Sequence, residues 1–310
     1  FFRYKIEGHE DVSSLTKLPI IADIAVANES AKQKADIVVH ENKNTLMEEI
    51  FRSMRTNIQF MLKEDQKSIL FTSTTSGEGK TFTASNLAVS FALLGKKVVL
   101  VGLDIRKPRL AQLFEINDRV HGITNLLVKE HPTKDDLIKQ IIPSGVNDNL
   151  DLLMAGPIPP NPAELVTRHS LDEISQHLQD MYDYIIIDTA PVGLVTDTLQ
   201  ISRISDLTVY VCREDYTAKE SFELVNSLAA NNKLKNMCIA LNGIDMSKKK
   251  NGYYYGYGNY GKYGRYARYN KHSNSSYGSY GSYGTYGTYG TYGNYSNSHY
   301  GNKNDNSIKL

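Results

Sequence analysis

The sequence lacks the features that define several protein classes. It has only two cysteines, Cys212 and Cys238, each within an apolar run and without metal-ligand spacing. This favours reduced core thiols over a disulfide framework or a zinc site. No apolar run is long enough to span a bilayer, and no cleavable signal is visible. The formal net charge is only +1, so the chain as a whole has no polyelectrolyte character. A length of 310 residues fits one or two domains.

The stretch 69–82 predicts a phosphate-binding loop between a strand and a helix. Its apolar start gives way to small polar residues, and apolar residues then recur at helical spacing. A helix N-terminus offers unpaired N–H groups to a phosphate, and glycines let the backbone approach closely. The usual pattern has glycine where this chain has Thr74. The predicted nucleotide-binding residues of this loop are Ser76, Gly77, Glu78, Gly79, Lys80, Thr81 and Phe82.

Further buried strands are predicted over 97–103, 149–155, 184–187, 207–212 and 237–241, and they alternate with helices. This pattern predicts an α/β fold with a doubly wound, mostly parallel sheet covered on both faces. In such sheets ligands bind at the carboxyl ends of the strands, where Asp104, Asp188 and Asn242 fall. One such aspartate alone would usually be a helix cap. Two of them beside a Gly-Lys-Thr loop favour Mg²⁺ binding, with Thr81 as a third ligand.

Residues 1–43 are expected to form a linker, apart from one short strand over 18–24. Two N-terminal phenylalanines followed by basic residues resemble the cytoplasmic end of a membrane helix. The next segment, 44–63, has the apolar stripe of an amphipathic helix. Glu49, Arg52 and Arg55 share one face of it. That face could meet a neighbouring molecule, but the spacing alone favours a solvated face with local ion pairs.

The composition changes completely from residue 248 onward. Sixteen of the 21 tyrosines lie in 248–310, where tyrosine and glycine alternate with polar residues. No leucine, isoleucine or valine interrupts the repeat, so the tail is expected to be disordered. Three roles are open for it: self-association, nucleic-acid binding through stacking tyrosines, or service as a tethered phosphate acceptor beside bound ATP. The residues favour the third, with predicted acceptors Tyr277, Tyr280, Tyr283, Tyr286, Tyr289, Tyr292 and Tyr295.

Several motifs together resemble the cytoplasmic part of the bacterial tyrosine kinases of capsule and exopolysaccharide systems. They are the loop 73–81, Asp-Ile-Arg-Lys-Pro at 104–108, Pro-Pro-Asn-Pro-Ala-Glu-Leu at 159–165, Ile-Ile-Ile-Asp-Thr-Ala-Pro at 185–191, and the tyrosine cluster. The resemblance implies a P-loop NTPase of the deviant Walker A type. It divides the chain into a juxtamembrane linker (1–43), a kinase domain (44–247) and an autophosphorylation tail (248–310).

The resemblance also implies site residues and partners. Lys80, Asp104, Arg106 and Asp188 would be catalytic, Thr81, Asp104 and Asp188 would surround Mg²⁺, and Asn242 would touch the adenine of ATP. The helix face with Glu49, Arg52 and Arg55 would join neighbours in a ring, each tail entering the adjacent site. The expected partners are a membrane-embedded chain-length regulator and a tyrosine phosphatase, with no nucleic acid. The expected location is the cytoplasmic face of the bacterial inner membrane.

One position departs from the family pattern. The family has Asp-X-Asp after the second strand, whereas this chain has Gly102 first, and only Asp104 remains. The sequence therefore leaves the role of proton acceptor open. Two other functions compete with the kinase: an ATP-driven positioning switch that transfers no phosphate to tyrosine, and an interaction protein whose tail condenses or binds RNA.

Overall fold

The structure, a computed structural model, describes residues 4–26, 37–41 and 43–246. One sheet of eight strands organises them, in the order β1-β8-β7-β2-β6-β3-β5-β4. All neighbouring strands are parallel except β4 and β5. The strands are β1 (Ile20–Ala25), β2 (Ser68–Ser73), β3 (Val98–Gly102), β4 (Ile142–Pro143), β5 (Leu150–Leu153), β6 (Tyr184–Asp188), β7 (Leu207–Arg213) and β8 (Met237–Ile244).

Helices cover both faces of this sheet, as the continuous apolar strands predicted. The helices are α1 (His9–Leu15), α2 (Leu46–Met61), α3 (Lys80–Leu93), α4 (Leu110–Leu113), α5 (Thr124–Leu127), α6 (Lys134–Ile138), α7 (Pro162–Thr167), α8 (His169–Met181), α9 (Asp197–Ile201) and α10 (Ser221–Ala230). Along β2, Ile69 and Phe71 pack on the side of α2 and α3, whereas Leu70 packs on the side of α8, because successive side chains point to opposite faces. The doubly wound α/β fold is thus confirmed.

The expectation of a linker is wrong for residues 4–17, whereas the short strand expected over 18–24 is present as β1. Strand β1 pairs with β8 at the edge of the sheet, and α1 precedes it. Ile6 and Val12 are fully buried beside α10. The Ile6 amide donates to the Thr217 carbonyl at 2.9 Å. Helix α1 and the buried Ile6 were not predicted, because the apolar residues before β1 are too few and too scattered to show a helical or strand period.

Helix α2 begins at Leu46, two residues after the predicted start at residue 44. Thr45 and Glu48 form a capping box at this end of the helix. Its predicted interface residues contact other groups of the same chain. Arg52 pairs with Glu49 within the helix. Arg55 is half-buried and donates to the carbonyl and hydroxyl of Ser90 on α3, and burial lowers the pKa of its guanidinium. These side chains therefore have contacts within their own chain.

Both cysteines lie in the core of the fold. Cys212 and Cys238 are free and fully buried, as predicted, and burial raises the pKa of both thiols. Among the residues that the structure describes, no helix has the length and apolar character to cross a membrane. The tail 248–310, with all seven predicted acceptor tyrosines, and residues 1–3 lie outside the described residues.

Candidate nucleotide site

The loop between β2 and α3 has the backbone of a phosphate cradle. Gly77 and Gly79 adopt φ values of 91° and 95°, which side-chain-bearing residues rarely reach. Gly79 is the left-handed N-cap of α3, whose first turn leaves N–H groups without an intrahelical acceptor. Thr74, where the usual pattern has glycine, does not have a positive φ. Its hydroxyl hydrogen-bonds the Tyr210 hydroxyl at 2.8 Å, so glycine is not required there.

Lys80 lies between two carboxylates at the edge of the sheet. Its Nζ is 3.5 Å from Asp104 Oδ2 and 4.0 Å from Asp188 Oδ1. All three residues are buried, with exposures of 8%, 7% and 2% for Lys80, Asp104 and Asp188. Asp188 ends β6 and lies in register with Gly102 at the end of β3. The parallel strands thus bring these groups together, as the sequence predicted.

The residues fit a divalent cation bound together with a nucleotide. Thr81 Oγ1 donates to Asp188 Oδ2 at 2.7 Å, while the buried Asp188 Oδ1 has no hydrogen-bond partner among the described residues. Burial raises the pKa of Asp188, and the Lys80 ammonium and the Thr81 hydroxyl oppose that rise. No cluster of three His, Cys, Asp or Glu side chains suited to a metal occurs in the described ranges. Mg²⁺ is usually bound by one or two carboxylates plus substrate phosphates, and Asp104 and Asp188 place two carboxylates around Lys80.

Three predicted site residues direct their side chains to other groups of the protein. Phe82 packs edge-on against Phe51 of α2, with ring centroids 6.1 Å apart. Arg106 points to Asp197 at the start of α9 and binds it through two hydrogen bonds of 2.6 and 2.9 Å. Asn242 donates to the carbonyl of Glu78 at 3.1 Å. Through its side chain Phe82 thus belongs to the core, Arg106 joins the segment after β3 to α9, and Asn242 holds the phosphate loop.

Glu78 is buried although it was predicted to contact nucleotide. Its carboxylate accepts hydrogen bonds from the Thr217 hydroxyl and the Thr75 amide. Burial raises the pKa of Glu78, and the hydrogen bond from Thr217 lowers it. Only its backbone N–H remains suited to a phosphate. The side chain instead ties the loop to the segment that follows β7.

Two residues at the site were missed by the sequence reasoning. Arg213 donates to the carbonyl of Gly77 at 2.9 Å, and Tyr216 donates to the carbonyl of Ser76 at 2.8 Å. Arg213 ends β7 and Tyr216 follows it closely, and the carboxyl end of β7 lies at the same edge as Asp188. A signal was available: the same strand-end rule that selected Asp104 applies to the end of β7.

Gly102 is tightly packed at the position where the resemblance implies an aspartate. A Cβ atom there would lie 3.0 Å from Leu110 Cδ1 and 3.3 Å from the Ala155 amide nitrogen. A side chain at this position therefore requires Leu110 to move. Asp104 is the carboxylate from this segment that reaches Lys80.

The sheet order, the loop and the paired carboxylates define a P-loop nucleotide-binding domain, and comparisons with known proteins agree. A family model described as an AAA domain matches residues 66–241. The tyrosine-protein kinase YwqD of Bacillus subtilis is 35% identical over 230 residues, which cover 74% of this chain and 94% of that protein. The putative tyrosine-protein kinase CapB of Staphylococcus aureus is 34% identical over 229 residues, or 73% of this chain and 98% of that protein.

A solved structure has the same fold. The crystal structure of the chimerical protein CapA2B2 is 33% identical, with a TM-score of 0.67, and the match covers 77% of this chain and all of that one. The chain therefore belongs to the bacterial tyrosine kinases, the family that its motifs predicted. This membership favours the kinase over the positioning switch and over the interaction protein.

Proposed function

We propose that the chain binds ATP with Mg²⁺ at this site and transfers the terminal phosphoryl group to tyrosines of its own C-terminal tail, mainly between neighbouring molecules. The observation that supports this most is Lys80 between Asp104 and Asp188, at the start of the helix that follows the glycine loop. In the same chain, 248–310 carries sixteen tyrosines.

The chemistry needs positioning and charge neutralisation. The loop N–H groups and the Lys80 ammonium would hold the phosphates. A tail phenol oxygen then bonds to the terminal phosphorus, the bond from that phosphorus to the bridging oxygen breaks, and ADP leaves. Asp104 is our candidate to accept the phenol proton, since Gly102 offers no carboxylate. Mg²⁺, held by Thr81, Asp104 and Asp188, would neutralise charge on the phosphate oxygens.

Phosphate mapping tests this function directly. The purified chain is incubated with labelled ATP and Mg²⁺, and phosphate is located by mass spectrometry. We expect phosphotyrosine within 277–295. The matched control replaces the seven tyrosines there by phenylalanine, which keeps the aromatic rings but removes the acceptor oxygens. Hydrolysis of ATP with no phosphotyrosine would instead identify a positioning switch.

We also propose that the chain assembles into a ring with copies of itself. The resemblance supports a ring in which Glu49, Arg52 and Arg55 contact the neighbouring molecule. It further supports a membrane-embedded chain-length regulator and a tyrosine phosphatase as partners, a role in capsule or exopolysaccharide production, and a location at the cytoplasmic face of the inner membrane.

Arg52 offers the cleaner test of that ring. Arg52 is exposed, whereas Arg55 also donates to Ser90 within its own chain, so replacing Arg55 would disturb α3. We expect Arg52→Ala to lower the molar mass measured by light scattering while leaving the melting temperature within a few degrees, because an exposed ion pair contributes at most about 1 kcal/mol. Arg119→Ala, an exposed arginine outside α2, serves as control. An unchanged mass for Arg52→Ala would argue against this face.

A further inference from the structure

Three side chains bind successive carbonyl groups of the phosphate loop, and we call them the carbonyl clamp: Tyr216, Arg213 and Asn242. They donate in that order to the carbonyls of residues 76, 77 and 78, at 2.8, 2.9 and 3.1 Å. Arg213 and Asn242 lie opposite each other in register on β7 and β8. Two of the three clamp residues therefore stand at the carboxyl end of the sheet, and Tyr216 lies in the turn that follows β7.

The clamp acts on the peptide groups that carry the phosphate-binding N–H donors. In a planar trans peptide the C=O of one residue and the N–H of the next point in opposite directions. Binding the carbonyls of residues 76, 77 and 78 therefore turns the N–H groups of residues 77, 78 and 79 away from the clamp. Successive N–H groups pointing to one side form the concave anion site typical of phosphate loops.

The two loop glycines are in close contact with the clamp. A Cβ atom on Gly77 would lie 2.8 Å from the Tyr216 hydroxyl oxygen, and one on Gly79 would overlap the Asn242 side-chain nitrogen. These glycines thus serve two purposes. They allow the positive φ values of the loop, and they leave room for the side chains that bind its outer surface.

The segment that carries the clamp is itself fixed to the loop. The Thr217 hydroxyl accepts from the Arg213 amide at 2.8 Å and donates to the buried Glu78 carboxylate. The Arg213 guanidinium lies over the Tyr216 ring, 5.4 Å from its centroid. Thr217, Arg213 and Tyr216 therefore reinforce one another, and the clamp is held in place by contacts within the chain itself.

We propose that Arg213 and Tyr216, with Asn242, are positioning residues for phosphate binding: they preorganise the loop peptides so that three N–H groups face the polyphosphate. This inference rests on the proposed nucleotide site but not on tyrosine phosphorylation. It also gives Asn242 a role besides the adenine contact implied by the resemblance. The clamp does not touch the reacting atoms and acts through the loop backbone.

The test measures binding of Mg·ADP and Mg·ATP to the full chain by calorimetry, together with the melting temperature without nucleotide. Tyr216→Phe removes only the hydroxyl, and Arg213→Met removes the guanidinium. Each is expected to raise the dissociation constant about 2- to 10-fold, the effect of one lost hydrogen bond. Arg213→Lys, which keeps a donor, should recover part of the affinity. Tyr184→Phe is the control. Tyr184 begins β6, at the edge of the sheet opposite the site, and its hydroxyl contacts Gln59 of α2.

The outcomes separate the clamp from the proposed function. Weaker binding supports positioning, with or without the small fall in melting temperature that one lost hydrogen bond causes. A lower melting temperature with unchanged affinity shows a merely structural role and overturns the clamp. If the unmodified chain binds nucleotide and both Tyr216→Phe and Arg213→Met bind equally well, the clamp is overturned and the nucleotide site stands. If the unmodified chain binds neither nucleotide, the proposed function fails and the clamp with it.

Discussion

The Lys80→Met variant is expected to lose ATP-dependent tyrosine phosphorylation by at least about 10²- to 10³-fold, the usual effect of removing one preorganised charge donor. Lys80 places a buried ammonium 3.5 Å from Asp104 and 4.0 Å from Asp188, where the outer phosphates of ATP would lie. Methionine preserves the length of the side chain but not the charge. The measurement is phosphotyrosine formed per minute, detected by phosphate label and mass spectrometry.

Two controls make this result specific. Lys97→Met removes an exposed ammonium just before β3, at the opposite edge of the sheet, and should leave the rate unchanged. Circular dichroism should show that Lys80→Met remains folded.

Mixing the Lys80→Met chain with unmodified chain then tests transfer between molecules, because the variant's tail should be phosphorylated only in the mixture. Persistent labelling of the variant alone would refute the site.

The Asp104→Asn variant is expected to lower the phosphorylation rate by about 10²- to 10⁴-fold, the range for loss of a general base. The backbone amide of Lys107 donates to Asp104 Oδ1 at 3.1 Å and orients the carboxylate. Asparagine can accept that same hydrogen bond, so the shape is kept while the negative charge is lost. The effect should be large in this chain because Gly102 supplies no second carboxylate.

A magnesium titration of Asp104→Asn separates its two proposed roles. If activity returns at high Mg²⁺, Asp104 acts mainly in binding the cation. If the loss persists at saturating Mg²⁺, Asp104 acts mainly as the proton acceptor. Asp180→Asn, at an exposed position on α8, is the matched control. A rate unchanged by Asp104→Asn would remove this residue from the mechanism.

The strands and the edge that carries the site were predictable for one physical reason. A strand buried on both faces is a continuous apolar run, so β3, β6 and β7 stand out in the sequence. In a parallel sheet the carboxyl ends of these strands meet at one edge. The order of apolar and polar residues along the chain is therefore enough to place Asp104 and Asp188, which follow such runs, at the same edge.

The directions of individual side chains could not be predicted in this way. Glu78 lies inside the phosphate motif but turns inward to Thr217, which is 139 positions away in the chain. Tyr216 reaches Ser76 across 140 positions. Residue spacing shows which side chains share a face of one element, but it does not show which distant segment packs against that face.

By itself, the sequence determined the α/β class, the phosphate loop, the two aspartates at the edge of the sheet and the family. All of these depend on local patterns of apolar and polar residues or on short motifs. Only the tertiary structure decided that residues 4–25 join the folded body, that Arg106 binds Asp197, and that Arg213 and Tyr216 hold the loop. Those features depend on contacts between segments far apart in the chain, and such contacts exist only once the sheet has brought the strand ends together.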